Sequence, residues 1–412
     1  MRAQNLALLF FLTLLFCRCG AQTTNNGTIE TTATNEPQPP VTFVSAQDYV
    51  SGAMQTELYI PLITDKKVGI VTNQTGIIGN THLVDSLVAR GVDIVRIFTP
   101  EHGFRGNADA GAKVNSGRDE ATDIEIASLY GKTKKPTPQM LGGIDIILFD
   151  LQDVGVRFYT YISTLAYVME AAAENGIPVV VLDRPNPNGF YIDGPVLKKE
   201  NTSFVGMHAV PVVYGMTIGE YGYMVNGEGW LKDGVKCDLT VIPIPEYHRT
   251  AIYELPVKPS PNLPDWQSIY LYPTLCFFEG TEVSVGRGTD KPFRIYGSPD
   301  MKGPFAFTPK SKDGASKPKY EGQVCHGYDK TDYAENYDNT PKLLQTEWLT
   351  EACSQYGEKP FFGNYFRLLA GNEEFSKQIK QGLSPDEIRA SWQEDLNSFK
   401  ETREKYLIYE DF

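Results

Sequence analysis

Short apolar runs alternate with amphipathic stretches through the first half of the chain. Two stretches, 82–90 and 163–175, have apolar side chains at helical spacing, and Ser163 is the predicted N-cap of the second. Four runs rich in β-branched residues predict buried strands: KVGIVT (67–72), VDIVRIF (92–98), IDIILF (144–149) and IPVVVL (177–182). Apolar strands that alternate with amphipathic helices predict an α/β fold with a parallel sheet covered on both faces.

This alternation ends near residue 205, which predicts two domains in a chain of 412 residues. Residues 22–42 are rich in Thr, Asn and Pro, so we expect a flexible linker there. Residues 43–205 are predicted to form a Rossmann-like parallel-sheet domain. Residues 206–412 are rich in Pro, Gly and aromatic residues and are predicted to form a smaller α/β (α+β) domain. Near its end, Ser384 and Pro385 are expected to open a helix.

The first 21 residues have the pattern of a secretory signal peptide. Arg2 precedes an apolar run over 6–16, and small residues follow up to Ala21. We therefore expect export to the periplasm. Lipidation of Cys17 or Cys19 is an alternative that would tether the protein to a membrane, but the large residues before both cysteines favour simple export. No further segment has the length of a transmembrane helix.

Composition narrows the classes of function. The formal net charge of −13 would repel a polyanion, so nucleic-acid binding is not expected. None of the five histidines has His-x-x-x-His spacing, so no metal site is expected. The Gly286-x-Gly288 pair lacks a Walker lysine and a dinucleotide fingerprint, and Gly-x-Ser-x-Gly is absent, so we expect neither a nucleotide cofactor nor a usual serine hydrolase. The cysteines after the signal are either free thiols or disulfide-bonded, with three pairings available: Cys237, Cys276, Cys325 and Cys353.

Polar and ionisable side chains follow all four predicted strands. Because the carboxyl ends of parallel strands meet at one edge of a sheet, these side chains predict an acidic ligand-binding cleft at that edge. In chain order they are Asn73; Glu101, His102 and Arg105; Asp150, Asp153, Arg157, Tyr159 and Tyr161; and Arg184 and Asn186.

Glu101 is the first candidate for catalysis. It lies beside Pro100 in a partly apolar turn, where a carboxyl with a raised pKa acts as a general acid. Its structural alternative is a salt bridge with Arg105. Asp153 is the second candidate carboxylate, while His102 is a general base, a metal ligand or a loop residue.

The arginines and tyrosines at this edge have either a structural role or a role in binding substrate. Arg157 and Arg184 are either structural ion pairs or a fork for a substrate carboxylate. Tyr159 and Tyr161 are spaced to share one face of an extended segment, either as core residues or as a platform for a sugar ring.

Seven stretches are long enough to be specific to a family: GIVTNQTGI, FTPEHGFRG, FDLQDVGVRFYTYISTL, LDRPNPNG, YGMTIGE, FEGTEVSVGRGTDKPF and IRASWQ…YLIY. Together they resemble the exo-β-N-acetylmuramidases of the NamZ type, formerly a domain of unknown function. The resemblance implies an enzyme that removes N-acetylmuramic acid from the non-reducing ends of peptidoglycan fragments, with a cleft between a Rossmann-like domain and a smaller domain. It also implies that Glu101 is the catalytic Glu and that Glu279 belongs to the site.

The chemistry of this substrate sets further expectations. N-acetylmuramic acid has a lactyl carboxylate, for which Arg105, Arg157, Arg184 and Arg287 are the candidate cations. Glu101 would protonate the leaving oxygen, with Asp153 or Glu279 as its partner; the 2-acetamido group can replace the partner, so the stereochemical outcome stays open. Two other functions compete: a nucleotide- or phosphosugar-dependent transferase and a non-catalytic protein that binds cell-wall glycans.

Overall fold

The computed structural model describes residues 40–101, 103–104 and 117–412. The strands of these residues are β1 (Thr42–Val44), β2 (Lys67–Thr72), β3 (Ile77–Ile78), β4 (Thr81–His82), β5 (Asp93–Thr99), β6 (Gly117–Arg118), β7 (Glu125–Ser128), β8 (Ile146–Asp150), β9 (Val179–Leu182), β10 (Leu239–Ile242), β11 (Ala251–Tyr253), β12 (Ile295–Ser298), β13 (Phe305–Phe307) and β14 (Cys325–Asp329). Their α-helices are α1 (Thr56–Ile63), α2 (Leu83–Ala89), α3 (Pro138–Leu141), α4 (Tyr161–Glu174), α5 (Ile218–Gly227), α6 (Trp266–Leu275), α7 (Thr331–Glu335), α8 (Thr346–Tyr356), α9 (Asn364–Ala370), α10 (Glu374–Gln381), α11 (Pro385–Ala390) and α12 (Gln393–Glu404).

Seven strands form the central sheet, in the order β10–β9–β8–β2–β5–β7–β6. Neighbouring strands run parallel except for the edge pair β6–β7, which is antiparallel. The four predicted strands are β2, β5, β8 and β9, each within two residues of its predicted bounds. The predicted α/β class and mostly parallel sheet are therefore confirmed.

Helices cover the sheet on both faces because successive side chains of a strand point in opposite directions. In β8, Ile146 and Leu148 belong to the apolar cluster that contains α1 and α2. Ile147 and Phe149 belong to the larger cluster that contains α4 and α5. This strand is therefore apolar throughout rather than alternating, as expected for a sheet buried on both sides.

Helix α4 begins two residues before the predicted start. Thr160 is its N-cap residue and Tyr161 its first residue, so Ser163 lies inside the helix, fully buried, and the predicted N-cap is wrong. For the same reason Tyr161 is not part of an extended segment. Tyr161 and Ile162 are both buried in the core, and this packing outweighs the local capping preference of Ser163.

A smaller antiparallel sheet, in the order β12–β14–β13, and the helices from α6 onward form much of the second half of the chain. Ser384 caps α11 in a capping box with Glu387, and Pro385 is its first residue, as predicted. The domain division near residue 205 stays a prediction. The central sheet takes its edge strand β10 from beyond that residue.

The C-terminal tail is tied to the carboxyl end of β9. Asp183, fully buried, accepts hydrogen bonds from the hydroxyls of Thr217 (2.7 Å) and Tyr409 (2.6 Å). Glu220, also fully buried, forms an ion pair with Arg249 (2.7 Å) and accepts a hydrogen bond from the backbone N–H of Tyr409. Stretches LDRPNPNG, YGMTIGE and YLIY of the family resemblance therefore meet in one buried polar network.

Arg157 is fully buried and donates only to backbone carbonyls. Its Nη1 donates to Pro195 (2.7 Å) and Val210 (2.8 Å), and its Nη2 to Leu369 and Ala370 (2.8 Å each). The last two carbonyls are at the C-terminus of α9, where helical carbonyls lack partners and attract a cation. The structure thus differs from the predicted substrate-binding role, because both Nη atoms are occupied inside the protein.

Arg184 and Asn186 are also buried behind the sheet edge. Arg184 forms a bidentate ion pair with Asp150, at 2.6 and 3.0 Å, and donates to the hydroxyl of Tyr49. The Nδ2 of Asn186 donates to the carbonyl of Met216 at 2.8 Å. Both were predicted to bind substrate. The structure supports the structural alternative for Arg184 and places Asn186 in a packing role.

Asp153 lies in the turn between β8 and α4, with only 4% of its surface exposed. Its Oδ2 accepts hydrogen bonds from the backbone N–H of Gly155 (2.7 Å) and from the hydroxyl of Tyr214. Burial raises the pKa of Asp153 to about 7. This carboxyl was predicted as a catalytic partner, but it is enclosed by the turn that it stabilises.

Replacing Arg157 tests its structural role. In Arg157→Met the carbonyls of Pro195, Leu369 and Ala370 lose this donor, while that of Val210 still accepts from the backbone N–H of Leu197. Each buried unsatisfied group costs about 1–3 kcal/mol, so we expect a loss of at least about 3 kcal/mol in the free energy of unfolding. Urea denaturation measures this loss. The control is Arg118→Met, at an exposed ion pair with Asp123, which should leave the urea midpoint in place. A loss in Arg157→Met no larger than in the control would contradict the assignment.

The raised pKa of Asp153 makes stability depend on pH. Between its ordinary pKa near 4 and about 7, the folded protein keeps the proton that the unfolded chain releases. This carboxyl therefore lowers the free energy of unfolding as pH rises through that window, by at most about 1.4 kcal/mol per pH unit. In Asp153→Asn that component should vanish, so urea midpoints measured from pH 4 to 7 should decline less steeply. If the urea midpoint of Asp153→Asn falls with pH as steeply as that of the wild type, the raised pKa of Asp153 is contradicted.

Candidate active site

A cleft of about 910 Å³ lies at the carboxyl ends of β5, β7 and β8. Residues that follow these three strands line it together with residues from 260–319 and Tyr365 of α9. The side chains that matter for chemistry are Glu101, Tyr130 and Lys134; Tyr159 and Tyr161; Glu279, Arg287, Phe293, Lys317 and Lys319; and Tyr365. The cleft is thus at the sheet edge that the sequence predicts.

Glu101 follows the end of β5 and is partly buried. Its Oε1 accepts a hydrogen bond from the hydroxyl of Tyr130, at 3.0 Å, in the loop after β7. Burial, with a smaller effect of the Glu101 charge, raises the pKa of Tyr130, so the phenol stays protonated and donates. The neighbouring strand end therefore orients a carboxyl at the cleft wall.

Glu279 and Arg287 form an ion pair in the cleft. Glu279 lies in the helical turn Cys276–Gly280 that continues α6, and its Oε1 is 2.6 Å from Nε of Arg287. Both side chains are about one-quarter exposed. The guanidinium lies over the ring of Phe293, 4.9 Å from its centre. One oxygen of Glu279 is therefore committed to holding the arginine.

Tyr159 and Tyr161 form a buried part of the cleft wall. Their rings meet edge to face with centres 4.8 Å apart. The hydroxyl of Tyr159 donates to the carbonyl of Pro259, and that of Tyr161 accepts from Nδ2 of Asn73 at 2.7 Å. Asn73 is fully buried and does not line the cleft. It therefore acts on the cleft through Tyr161 instead of binding substrate as predicted.

The described lining of the cleft is not acidic, in contrast to the prediction. Glu101 and Glu279 are the carboxylates among the described lining residues. Four cations line the same space: Lys134, Arg287, Lys317 and Lys319. The negative net charge of the chain is therefore distributed elsewhere, and this cleft suits an anionic ligand better than a cationic one.

Sequence reasoning missed Tyr130, Lys134 and Tyr365. The first two follow β7, a four-residue strand that was not predicted. The rule used for the other strands, that polar residues follow a strand end, would have found them. Tyr365 lies in the first turn of α9, and no sequence signal places that turn beside the sheet edge.

The remaining predictions concern metals, thiols and the residues that follow Glu101. His102 and Arg105 are outside the described residues, so their roles stay predictions. In the described part of the chain, no three His, Cys, Asp or Glu residues are grouped to hold a metal ion. Its helices include none that is long and apolar enough to cross a bilayer. Cys237, Cys276, Cys325 and Cys353 are free thiols.

Two family models and a bacterial relative match this chain. Family models described as exo-beta-N-acetylmuramidase NamZ, N-terminal and C-terminal, match residues 68–267 and 270–409. The peptidoglycan beta-N-acetylmuramidase NamZ of Bacillus subtilis strain 168 is 40% identical over 381 residues, which are 85% of this chain and 89% of the relative.

Two crystal structures of DUF1343 family proteins from Bacteroides fragilis NCTC 9343 have the same fold. One is 42% identical with a TM-score of 0.81 and covers 89% of this chain and 100% of its own. The other is 29% identical with a TM-score of 0.75 and covers 88% and 99%. Together, the family models and the Bacillus relative span nearly all of the chain that follows the predicted linker. The chain therefore belongs to the NamZ family of exo-β-N-acetylmuramidases.

Proposed function

We propose that this protein is an exo-acting glycosidase that releases N-acetylmuramic acid from the non-reducing ends of peptidoglycan fragments. The name of the Bacillus relative supports both the activity and the polymer. The structural observation that carries the proposal is one cleft in which a carboxyl, Glu101, and a partly open guanidinium, Arg287, are both accessible. Hydrolysis of a muramic acid glycoside needs an acid for the leaving oxygen and a cation for the lactyl carboxylate.

Glu101 is the proposed general acid. It donates its proton to the glycosidic oxygen as the bond from that oxygen to the anomeric carbon breaks, and water finally supplies the hydroxyl of the released sugar. The hydrogen bond from Tyr130 fixes the orientation of the carboxyl. Asp153 is enclosed in its turn and does not line the cleft, so we assign it no catalytic role.

The competing functions find less support in the cleft. A nucleotide-dependent transferase would need a phosphate-binding loop, but Gly286 and Gly288 flank Arg287 in a loop that presents a side chain. A non-catalytic glycan-binding protein would have no use for a carboxyl oriented by a protonated phenol. The activity of a Glu101 variant separates this last alternative from the enzyme.

We further propose that the enzyme acts outside the cytoplasm, in the periplasm, where peptidoglycan fragments are available. This proposal is supported by the signal-peptide pattern of residues 1–21, which lie outside the described residues. Cell fractionation tests it, and labelling with a radioactive fatty acid tests lipidation at Cys17 or Cys19. Recovery of the full-length protein in the cytoplasm would overturn it.

Replacing Glu101 tests the catalytic assignment. In Glu101→Gln the side chain keeps its shape but cannot donate the proton, so kcat should fall at least about 100-fold. The assay measures free N-acetylmuramic acid released from a MurNAc-GlcNAc disaccharide. Binding of the disaccharide, measured by calorimetry, should change little.

The matched control is Glu125→Gln, in β7 but outside the cleft, where the carboxylate is half-exposed and paired with Arg96. Its activity should equal that of the wild type. Full activity in Glu101→Gln would move the acid to another residue. No release by the folded wild type would overturn the proposed function itself.

A further inference from the structure

The arginines near the sheet edge differ in how many of their donors the protein itself occupies. Arg184 is buried and donates from all three nitrogens, to Asp150 and Tyr49. Arg157 is buried and donates from both Nη atoms to backbone carbonyls, so that Nε is its one nitrogen without a partner among the described residues. Arg287 uses only Nε, which binds Glu279. Among the described residues, neither of its Nη atoms has a hydrogen-bond partner, although Nη1 is shielded from solvent. An enclosed guanidinium with open donors is costly unless a ligand satisfies it.

The backbone around Arg287 is shaped to present this side chain. Gly286 and Gly288 both have positive φ, 76° and 80°, which other residues rarely adopt. A Cβ on Gly286 would lie 2.5 Å from the side chain of Ile295, and one on Gly288 would lie 2.5 Å from the carbonyl of Lys310. Only glycine therefore fits on either side of Arg287.

The guanidinium itself is held from two directions. Glu279 binds Nε at 2.6 Å, and the ring of Phe293 lies against the guanidinium plane at 4.9 Å. Lys317 of the same cleft is on an exposed position and offers a flexible point charge. Lys319 is paired with Glu282 at 3.2 Å and donates to the carbonyl of Thr281. A planar guanidinium held in place directs its donor towards a carboxylate by geometry as well as charge, which a lysine does not.

We propose that Arg287 binds the lactyl carboxylate of N-acetylmuramic acid and sets the preference of the enzyme for muramic acid over N-acetylglucosamine. Glu279 is then a positioning residue that holds Arg287, and not the catalytic partner of Glu101. This inference rests on the proposed function, because it assumes that a muramic acid glycoside enters the cleft. N-acetylmuramic acid differs from N-acetylglucosamine by its lactyl group, which ends in this carboxylate. The residue that binds the carboxylate therefore determines specificity.

The test compares two substrates that differ only in that carboxylate: 4-nitrophenyl β-N-acetylmuraminide and its lactyl methyl ester. The wild type should have a kcat/KM for the acid about 10- to 100-fold above that for the ester, which is the range for a charge-assisted hydrogen bond. Arg287→Met removes the donors but keeps an unbranched side chain. It should reduce the acid-to-ester ratio to near one.

Arg294→Met is the matched control, because Arg294 is paired with Asp265 and lies outside the cleft. It should keep the wild-type ratio. A wild-type ratio in Arg287→Met, or a loss of the ratio in Lys317→Met instead, would overturn the proposal. An equal fall in kcat/KM for both substrates in Arg287→Met would also overturn it, because the residue would then act in the reaction and not in binding the carboxylate.

Glu279→Gln separates positioning from catalysis. A positioning role predicts a lower acid-to-ester ratio, mainly through a higher KM for the acid, while kcat for the ester falls less than about tenfold. A catalytic carboxylate predicts a collapse of kcat for both substrates. If the wild type hydrolyses neither substrate, the proposed function fails. Calorimetry with free N-acetylmuramic acid and its methyl ester then tests Arg287 alone: acid-selective binding lost in Arg287→Met supports it, and binding without that selectivity overturns it.

Discussion

The buried guanidinium of Arg157 joins the two sides of the cleft. It follows β8 on the sheet side, and its Nη2 closes the C-terminus of α9, the helix whose first turn brings Tyr365 to the cleft. A buried charge is tolerated where hydrogen bonds compensate it, and here four carbonyls accept from its two Nη atoms. The position of the far wall relative to Glu101 therefore depends on a residue that never meets the substrate.

The same side-chain chemistry serves structure or binding according to what surrounds it. Arg249 is paired with Glu220 inside the network that holds the C-terminal tail, and Arg184 is paired with Asp150. In both, all three guanidinium nitrogens donate inside the folded chain, so neither has a donor left for a ligand. Arg287 has a carboxylate on Nε, and among the described residues its two Nη atoms have no partner, with Nη1 shielded from solvent. Arg287 is therefore identified as the binding residue by its Nη atoms without a partner, and not merely by being an arginine.

The sequence was sufficient for four of the seven strands of the central sheet and for part of the site. Four β-branched runs predicted β2, β5, β8 and β9 because a parallel sheet buries both faces of its strands. The same pattern placed Glu101, Tyr159 and Tyr161 at the right edge, and the family resemblance pointed to Glu279 and Arg287.

The sequence did not show how deeply each of these side chains is buried or which way it points. Strand order reverses at β2, between β8 and β5, where a ligand crevice is expected. The structure fills that place with the Arg184–Asp150 pair, and the cleft opens over β5 and β7 instead. A strand end shows which residues follow it, but only tertiary packing decides which of their side chains turn inward. The lysines that make the cleft cationic come from loops that no local pattern connects to the sheet.

The most direct test of the account is a crystal structure of the E101Q variant with an uncleaved MurNAc-GlcNAc disaccharide. We expect the lactyl carboxylate within about 3 Å of Nη2 of Arg287, and the glycosidic oxygen within hydrogen-bond distance of the side chain at position 101. A disaccharide whose carboxylate binds Lys317 or Lys319, with its glycosidic bond away from position 101, would contradict it.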